Sequence, residues 1–250
     1  MKTKPYIIAL TLMGLSFTFP SNFLIDQKKY PRVAQAYHEK ESALTYRLKK
    51  LNLTLDDINI LFIAYKTEKE LDLFVKGKAE SKYRKLTTYD ICRTSGKLGP
   101  KRSQGDMQIP EGFYFINSFN PVSSYYLSLG INYPNQADKI NSKTKNLGGD
   151  IYIHGECVTI GCLPMTNDKI NELYIYALQA RQNGQTKIPV YIFPFRFTEN
   201  NGLKIKEQFK SDKALLDFWD NLKIGYDKFN KNFEELKVMV NKSNGKYSIL

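Results

Sequence analysis

Apolar residues recur along this chain with two different periods, and the switches between them mark out its organisation. From Pro31 to Leu51, the residues Val33, Ala36, Tyr37, Leu44, Leu48 and Leu51 fall close to a 3.6-residue period among charges, which predicts an amphipathic helix that Pro31 can start. The run Ile58 to Tyr65 (INILFIAY) reads as a buried strand. After the polar stretch Lys66-Thr67-Glu68-Lys69, the residues Leu71, Leu73 and Val75 alternate with Asp72, Phe74 and Lys76, so the two runs together predict a β-hairpin. Further short strands are predicted at Arg84 to Cys92, Phe113 to Ile116, Tyr125 to Leu129, Asp150 to His154 and Val190 to Phe195, separated by Gly, Pro, Asn and Ser clusters. One helix interrupts them. Ile170, Leu173, Tyr174, Ala177 and Leu178 follow the i, i+3, i+4, i+7, i+8 pattern, Thr166 or Asn167 can cap its start, and Gly184 can end it. Beyond Gly202, the residues Leu215, Phe218, Trp219, Leu222, Tyr226 and Phe229 make one apolar face of a long C-terminal helix, expected to pack on the β-domain rather than on a membrane.

The expected fold class is therefore mostly β (α+β), with a helical segment over residues 22–54, a β-rich unit with one inserted helix over 55–197, and a C-terminal helical extension over 198–250. No internal repeat is visible. The first residues have another character. Lys2 and Lys4 precede a 14-residue apolar stretch from Tyr6 to Phe19, the length of a signal-peptide core and short of the ~20 residues that span a bilayer. Ser16 and Thr18 supply small residues for cleavage after Thr18, so residues 1–18 are expected to be a signal peptide and the protein to be exported. Retention of the segment would instead make it an inner-membrane tether.

Composition adds bounds rather than detail. A chain of 250 residues with 42% apolar content can bury a domain-sized core. Lys and Arg total 37 against 25 Asp and Glu, a net charge of +12, yet the positive residues are scattered and form no compact basic arm. Nucleic acid is not indicated. A polyanionic surface, an acidic glycopeptide or an anionic membrane face suits such a field equally well. Oligomeric state is not legible.

The chemistry concentrates between Asp150 and Met165 (DIYIHGECVTIGCLPM). One of only two histidines, His154, ends an apolar strand there, and Cys162 follows eight positions later, directly after Gly161. A thiol needs a base to become a nucleophile at neutral pH, and an imidazole on a neighbouring strand end can supply one if a third group fixes its tautomer. Gly161 allows a tight turn that points the sulfur outward and leaves nearby N–H groups for an oxyanion. Residue types alone leave other readings open. Cys162 can be half of a structural disulfide with Cys157 or Cys92, with His154 a satisfied strand-end residue. Three cysteines are an odd number, so one thiol stays unpaired within the monomer. Zinc held by Cys92, Cys157, Cys162 and His154 is a third reading, against which stands the absence of C-x-x-C spacing, and no metal or other cofactor is expected.

A second stretch, Lys97 to Tyr114 (KLGPKRSQGDMQIPEGFY), reads by itself as a turn-rich loop entering a strand. Together the two resemble a known family. The pattern H-G-x₃-T-x-G-C-x-x-M, formed by His154, Gly155, Thr159, Gly161, Cys162 and Met165, is similar to the active-site signature of the L,D-transpeptidase catalytic domain family, and the Gly99 to Tyr114 block resembles that family's upstream motif, in the same order. The resemblance covers roughly Ile58 to Phe197. It implies a β-sandwich catalytic domain, a periplasmic location and peptidoglycan stem peptides as partner, attacked at the meso-diaminopimelate L-centre through a thioester. It further implies Cys162 as nucleophile, His154 as base and the Gly155 carbonyl as the group orienting the imidazole. Thr159 and Gly161 fall to the oxyanion loop, and Gly105, Asp106 and Met165 to the substrate side. Carbapenem-type β-lactams commonly acylate the family's cysteine.

Two departures narrow this. Many members have a longer gap before the cysteine and an arginine two residues after it, whereas here the gap is eight and Pro164 stands in the arginine's place. The short form resembles a subgroup of Gram-negative periplasmic proteins, some of which hydrolyse rather than form such linkages. An amidase that detaches a diaminopimelate-linked group, and a non-catalytic peptidoglycan-binding protein, are the alternatives. Among the cysteines, a Cys92 to Cys157 bridge would tie the active-site loop to the sheet and leave Cys162 reduced, which requires Cα atoms within ~7 Å.

Overall fold

Along the strand from Ile58 to Tyr65, alternate side chains enter two separate cores. Ile58, Ile60, Phe62 and Ala64 join one cluster, while Leu61, Ile63 and Tyr65 join the other. The strand is thus central and covered on both sides. In the computed structural model, which describes residues 23–250, the elements run α1 (Phe23–Lys28), α2 (Pro31–Lys49), β1 (Ile58–Tyr65), β2 (Glu70–Gly77), β3 (Arg84–Asp90), β4 (Gly112–Asn120), β5 (Ser128–Ile131), α3 (Gln136–Asn141), β6 (Tyr152–His154) and β7 (Leu163–Pro164). They continue with α4 (Asn167–Gln182), β8 (Ile188–Phe193), α5 (Glu199–Gln208), α6 (Lys213–Asn232), β9 (Val238–Val240) and β10 (Tyr247–Ile249). The expected signal segment lies outside the described residues.

Eight strands form one curled mixed sheet in the order β3-β2-β1-β8-β4-β5-β6-β7, with β1–β8 and β6–β7 parallel and the other pairs antiparallel. The enclosure expected of a sandwich is therefore made by one curled sheet with helices on both faces. Inside the curl lies α4, whose residues Leu173, Tyr174, Ala177 and Leu178 are all buried, against the sheet on one side and α2 on the other. Two of its buried polar side chains find partners, the Tyr174 hydroxyl donating to Gln27 Oε1 at 2.8 Å and Gln179 Nε2 donating to the Tyr37 hydroxyl at 3.1 Å, whereas Asn171 Oδ1 and the Tyr176 hydroxyl are buried without one among the described residues. Thr166 is the N-cap, accepting from the Lys169 N–H.

The opposite face is covered by α6, where Trp219, Leu222 and Phe229 pack on Phe113, Tyr191, Phe193 and Phe195. The helix comes close enough at Gly225 that a Cβ there would collide with the Phe113 ring. The C-terminal region departs from the helical extension expected over 198–250. After α6 the chain forms the antiparallel hairpin β9–β10, tied back to the helix by Asn221, whose side chain bonds both main-chain polar groups of Tyr247 at 2.8 Å. The strand expected at Tyr125 to Leu129 begins only at Ser128, because Tyr125 and Tyr126 belong to a turn. Among the described residues, no helix is long and apolar enough to cross a membrane.

Candidate active site

The site grows out of the parallel pair β6–β7. Ile153 lies opposite Leu163 and His154 opposite Pro164, and both Ile153 and Leu163 enter the core with α4. Alternation along each strand then puts Tyr152, His154, Cys162 and Pro164 on the other face, with the imidazole and the thiol one diagonal step apart on neighbouring strands. Met165 follows with the core parity and is wholly buried, while its N–H donates to the His154 carbonyl at 2.7 Å. It fixes the strand end and does not meet the substrate side expected of it.

His154 is oriented by its neighbour. Nδ1 lies 2.5 Å from the Gly155 carbonyl oxygen, and because a carbonyl only accepts, the proton sits on Nδ1 and the lone pair on Nε2. The Tyr125 ring packs 4.6 Å from the imidazole, centroid to centroid. The turn carrying Tyr125 is itself held from α2: Arg32 Nη1 donates to the carbonyls of Ser123 and Tyr126, each at 2.7 Å. Gly155 has no room for a side chain, since a Cβ would stand 2.5 Å from Asn167 Oδ1 and 2.9 Å from the Tyr125 carbonyl. Burial holds the His154 pKa below its ordinary value, against the opposing pull of the Gly155 carbonyl and Glu156.

Cys162 is half-buried and unbridged, and its thiol donates to the Asp150 carbonyl at 3.5 Å. Burial pushes its pKa up, opposed by the Tyr152 N–H aimed at the sulfur and by the Lys101 charge. Both shifts favour the neutral form of each residue near pH 7. The amides expected to be free for an oxyanion are not. Thr159 Oγ1 accepts from Gly161 N at 3.1 Å and Cys162 N at 2.8 Å, and its hydroxyl donates to the Cys162 carbonyl at 2.9 Å. Thr159 closes the turn that presents the sulfur, and Gly161 (φ 142°) stands where a Cβ would press to 3.0 Å on the Gln108 carbonyl.

That contact also shows what the upstream block does: it lies against the nucleophile turn. Asp106 accepts from Lys101 Nζ at 2.7 Å and from the N–H groups of Arg102, Ser103 and Gln108, at 2.8 to 3.0 Å. Its carboxylate shapes the loop, and Gly105 (φ 76°) is an exposed turn residue with open space beside it. Although burial raises the Asp106 pKa, Lys101 and these amides outweigh it and hold it low. Deeper in the block, Lys66 and Glu111 form a buried ion pair at 2.8 Å; Glu111 also accepts from the Gly99 N–H and from Trp219 Nε1 of α6, each at 2.8 Å. Lys101, Tyr125 and the Asp150 carbonyl are the site neighbours that sequence reasoning missed. Lys101 lies within the quoted block and was in principle findable, whereas nothing marks Tyr125.

Cys92 and Cys157 are disulfide-bonded, with Cα atoms 5.7 Å apart. The bridge pins the middle of the His154–Cys162 loop to the end of β3 and takes two of the three thiols that a Cys₃His zinc site would need.

This fold and this loop match a known catalytic domain. A model of the L,D-transpeptidase catalytic domain matches residues 59–192. YafK of Escherichia coli K12, a protein that carries the L,D-transpeptidase name, is 40% identical over 188 residues, which cover 74% of this chain and 71% of that protein. The chain belongs to the L,D-transpeptidase catalytic domain family. Among solved structures, the helical cell shape determining protein Pgp2 from Campylobacter jejuni aligns with a TM-score of 0.44 at 21% identity, over 74% of each chain. Bd1075 from Bdellovibrio bacteriovorus aligns with a TM-score of 0.40 at 25% identity, over 68% of this chain and 62% of that one.

Proposed function

We propose that this protein is a cysteine acyl-transfer enzyme of peptidoglycan, acting on stem peptides at the meso-diaminopimelate L-centre through a thioester on Cys162. The observation that carries the proposal is the β6–β7 pair: a thiol and a neutral imidazole of fixed tautomer share one face of adjacent strands. As the sulfur attacks the carbonyl carbon, its proton passes to His154 Nε2. The S–C bond forms, the C–N bond to the terminal D-Ala breaks, and His154 returns the proton to the departing amine. The Gly155 carbonyl steadies the imidazolium that exists between those steps. An amine or water then attacks the thioester, giving a new cross-link or a shortened peptide. The disulfide supports a place of work outside the reducing cytosol, which we take to be the periplasm.

The test is to incubate purified protein with a disaccharide tetrapeptide, with and without an amine acceptor, and to follow D-Ala release and the adduct on Cys162 by mass spectrometry. Release that needs Cys162 supports the proposal, and the acceptor arm assigns transfer or hydrolysis. A diaminopimelate-linked peptide cleaved in preference to the tetrapeptide marks the amidase reading. Release unchanged in Cys162→Ala overturns the thioester.

A further inference from the structure

The chain between α3 and β6 folds into an open groove of about 580 Å³, lined by Pro134, Lys139 and the segment from Ser142 to Gly148. It is a built surface. Ser142 Oγ donates to the Arg102 carbonyl at 2.7 Å, Gln104 N donates to the Asn146 carbonyl at 3.0 Å, Asn146 Nδ2 donates to Gln104 Oε1 at 2.6 Å, and the Tyr133 hydroxyl donates to the Leu147 carbonyl at 3.3 Å. These bonds fasten the groove to the same upstream loop that lies against the nucleophile turn.

Three exposed lysines line it, Lys139, Lys143 and Lys145. Among the described residues, none of the three has an ion-pair partner. The contrast with the adjoining cations is sharp: Lys101 is matched by Asp106 at 2.7 Å and Arg102 by Asp138 at 3.0 Å. The groove therefore carries an excess of about three positive charges that the fold does not neutralise, and like charges held together favour a bound polyanion.

The groove is also close to the chemistry. Gly148 precedes by two residues Asp150, whose carbonyl takes the Cys162 thiol at 3.5 Å. At ~3.5 Å of chain per residue, the near end of the groove lies within roughly 10 Å of the sulfur, a distance that an extended peptide covers in about three residues. Lysines spaced along a wall, with no guanidinium fork among them, suit separate carboxylates along a peptide better than one phosphate.

We infer that this groove is the subsite for the acidic part of the substrate, with Lys139, Lys143 and Lys145 pairing carboxylates on the peptide residues that precede the bond attacked at Cys162. The inference rests on the proposed acyl transfer, and a binding measurement separates the two. With the K139Q/K143Q/K145Q protein and a tetrapeptide substrate, KM rises roughly tenfold and loses most of its salt dependence, since exposed pairs contribute modestly and are screened. The same three charges removed at Lys49, Lys50 and Lys78 leave KM unchanged. In a Cys162→Ala background, where no turnover is needed, the three glutamines weaken tetrapeptide binding by the same factor in calorimetry, and a peptide with amidated carboxylates binds both proteins equally. Unchanged affinity and salt dependence in that background overturn the inference whether or not wild-type protein releases D-Ala. Loss of binding to vesicles rich in anionic lipid, with tetrapeptide affinity intact, overturns it in favour of a membrane face.

Discussion

The Thr159 hydroxyl and the Cys162 main chain hold each other: the Cys162 N–H donates to Oγ1 at 2.8 Å while the hydroxyl donates to the Cys162 carbonyl at 2.9 Å. Thr159→Val keeps the shape and removes the clamp. A lost pair of neutral hydrogen bonds costs about 1–3 kcal/mol, and because they set the direction of the sulfur, turnover should fall more than stability does. Thr159→Ser should restore both. Acylation of Cys162 by a carbapenem, followed by intact mass, reads the effect directly: slowed in the valine variant, near wild type in the serine variant.

His154 is buried with its pKa below the ordinary 6.5. The sign follows from linkage. Below about pH 6.5 the unfolded chain takes up a proton that the folded histidine resists, so its contribution to stability is complete above that pH and is lost as pH falls towards the lowered folded value. The stability difference between wild type and His154→Gln, from thermal melts, should therefore shift against wild type between pH 7.5 and 5.5. A shift in the opposite direction would mean that the histidine is charged in the folded protein. The same variant should lose roughly 10²- to 10⁴-fold in turnover.

The thiol is the other half of that argument. With Cys162 pushed above its usual pKa by burial, alkylation by iodoacetamide should climb through pH 9 without a plateau between pH 6 and 8. A plateau there would reveal a preformed thiolate–imidazolium pair. A slow resting thiol is thus what this enzyme should show, and it does not by itself favour a non-catalytic binder.

The Cys92–Cys157 bridge closes a loop of 65 residues, for which chain entropy gives a stabilisation of about 4 kcal/mol. The Cys92→Ser/Cys157→Ser protein should melt well below wild type and become insensitive to reductant. Reduction of wild type should lower its melting temperature to match.

Glu111 neutralises Lys66, and both are buried. Glu111→Gln leaves a buried ammonium unmatched and should cost about 3–5 kcal/mol in urea unfolding, with the Lys66→Met/Glu111→Leu double variant recovering much of the loss. Equal loss in single and double variants would place the effect in the Trp219 and Gly99 hydrogen bonds instead.

Much of this molecule was legible in its sequence wherever one face of an element is buried. The periods of Val33 to Leu48 and of Leu215 to Phe229 are the inward faces of α2 and α6, and the Ile58 to Val75 alternation is the β1–β2 hairpin. Elements held by partners distant in sequence were not. β7 is two residues long and exists because β6 pairs with it. The β9–β10 hairpin carries a usable signal, Asn244-Gly245, with Gly245 at φ 68°, but it is easily missed between two strands of three residues. In the site, residue type and spacing made His154 and Cys162 one candidate pair among open readings, and only the resemblance to the L,D-transpeptidase family singled them out. The commitments of Thr159, Asp106 and Met165 were not legible, since a hydroxyl, a carboxylate and a thioether look equally available until their neighbours are known.

Cys157, three residues after His154 and five before Cys162, is stitched to Cys92, and the stitch forms only under oxidising conditions. A newly made chain bathed in glutathione holds every atom of His154 and Cys162 but lacks the covalent stitch that shapes the loop between them. On the periplasmic placement proposed above, oxidation after export is the last step of its manufacture, and a copy kept in the cytosol would be a blunted tool.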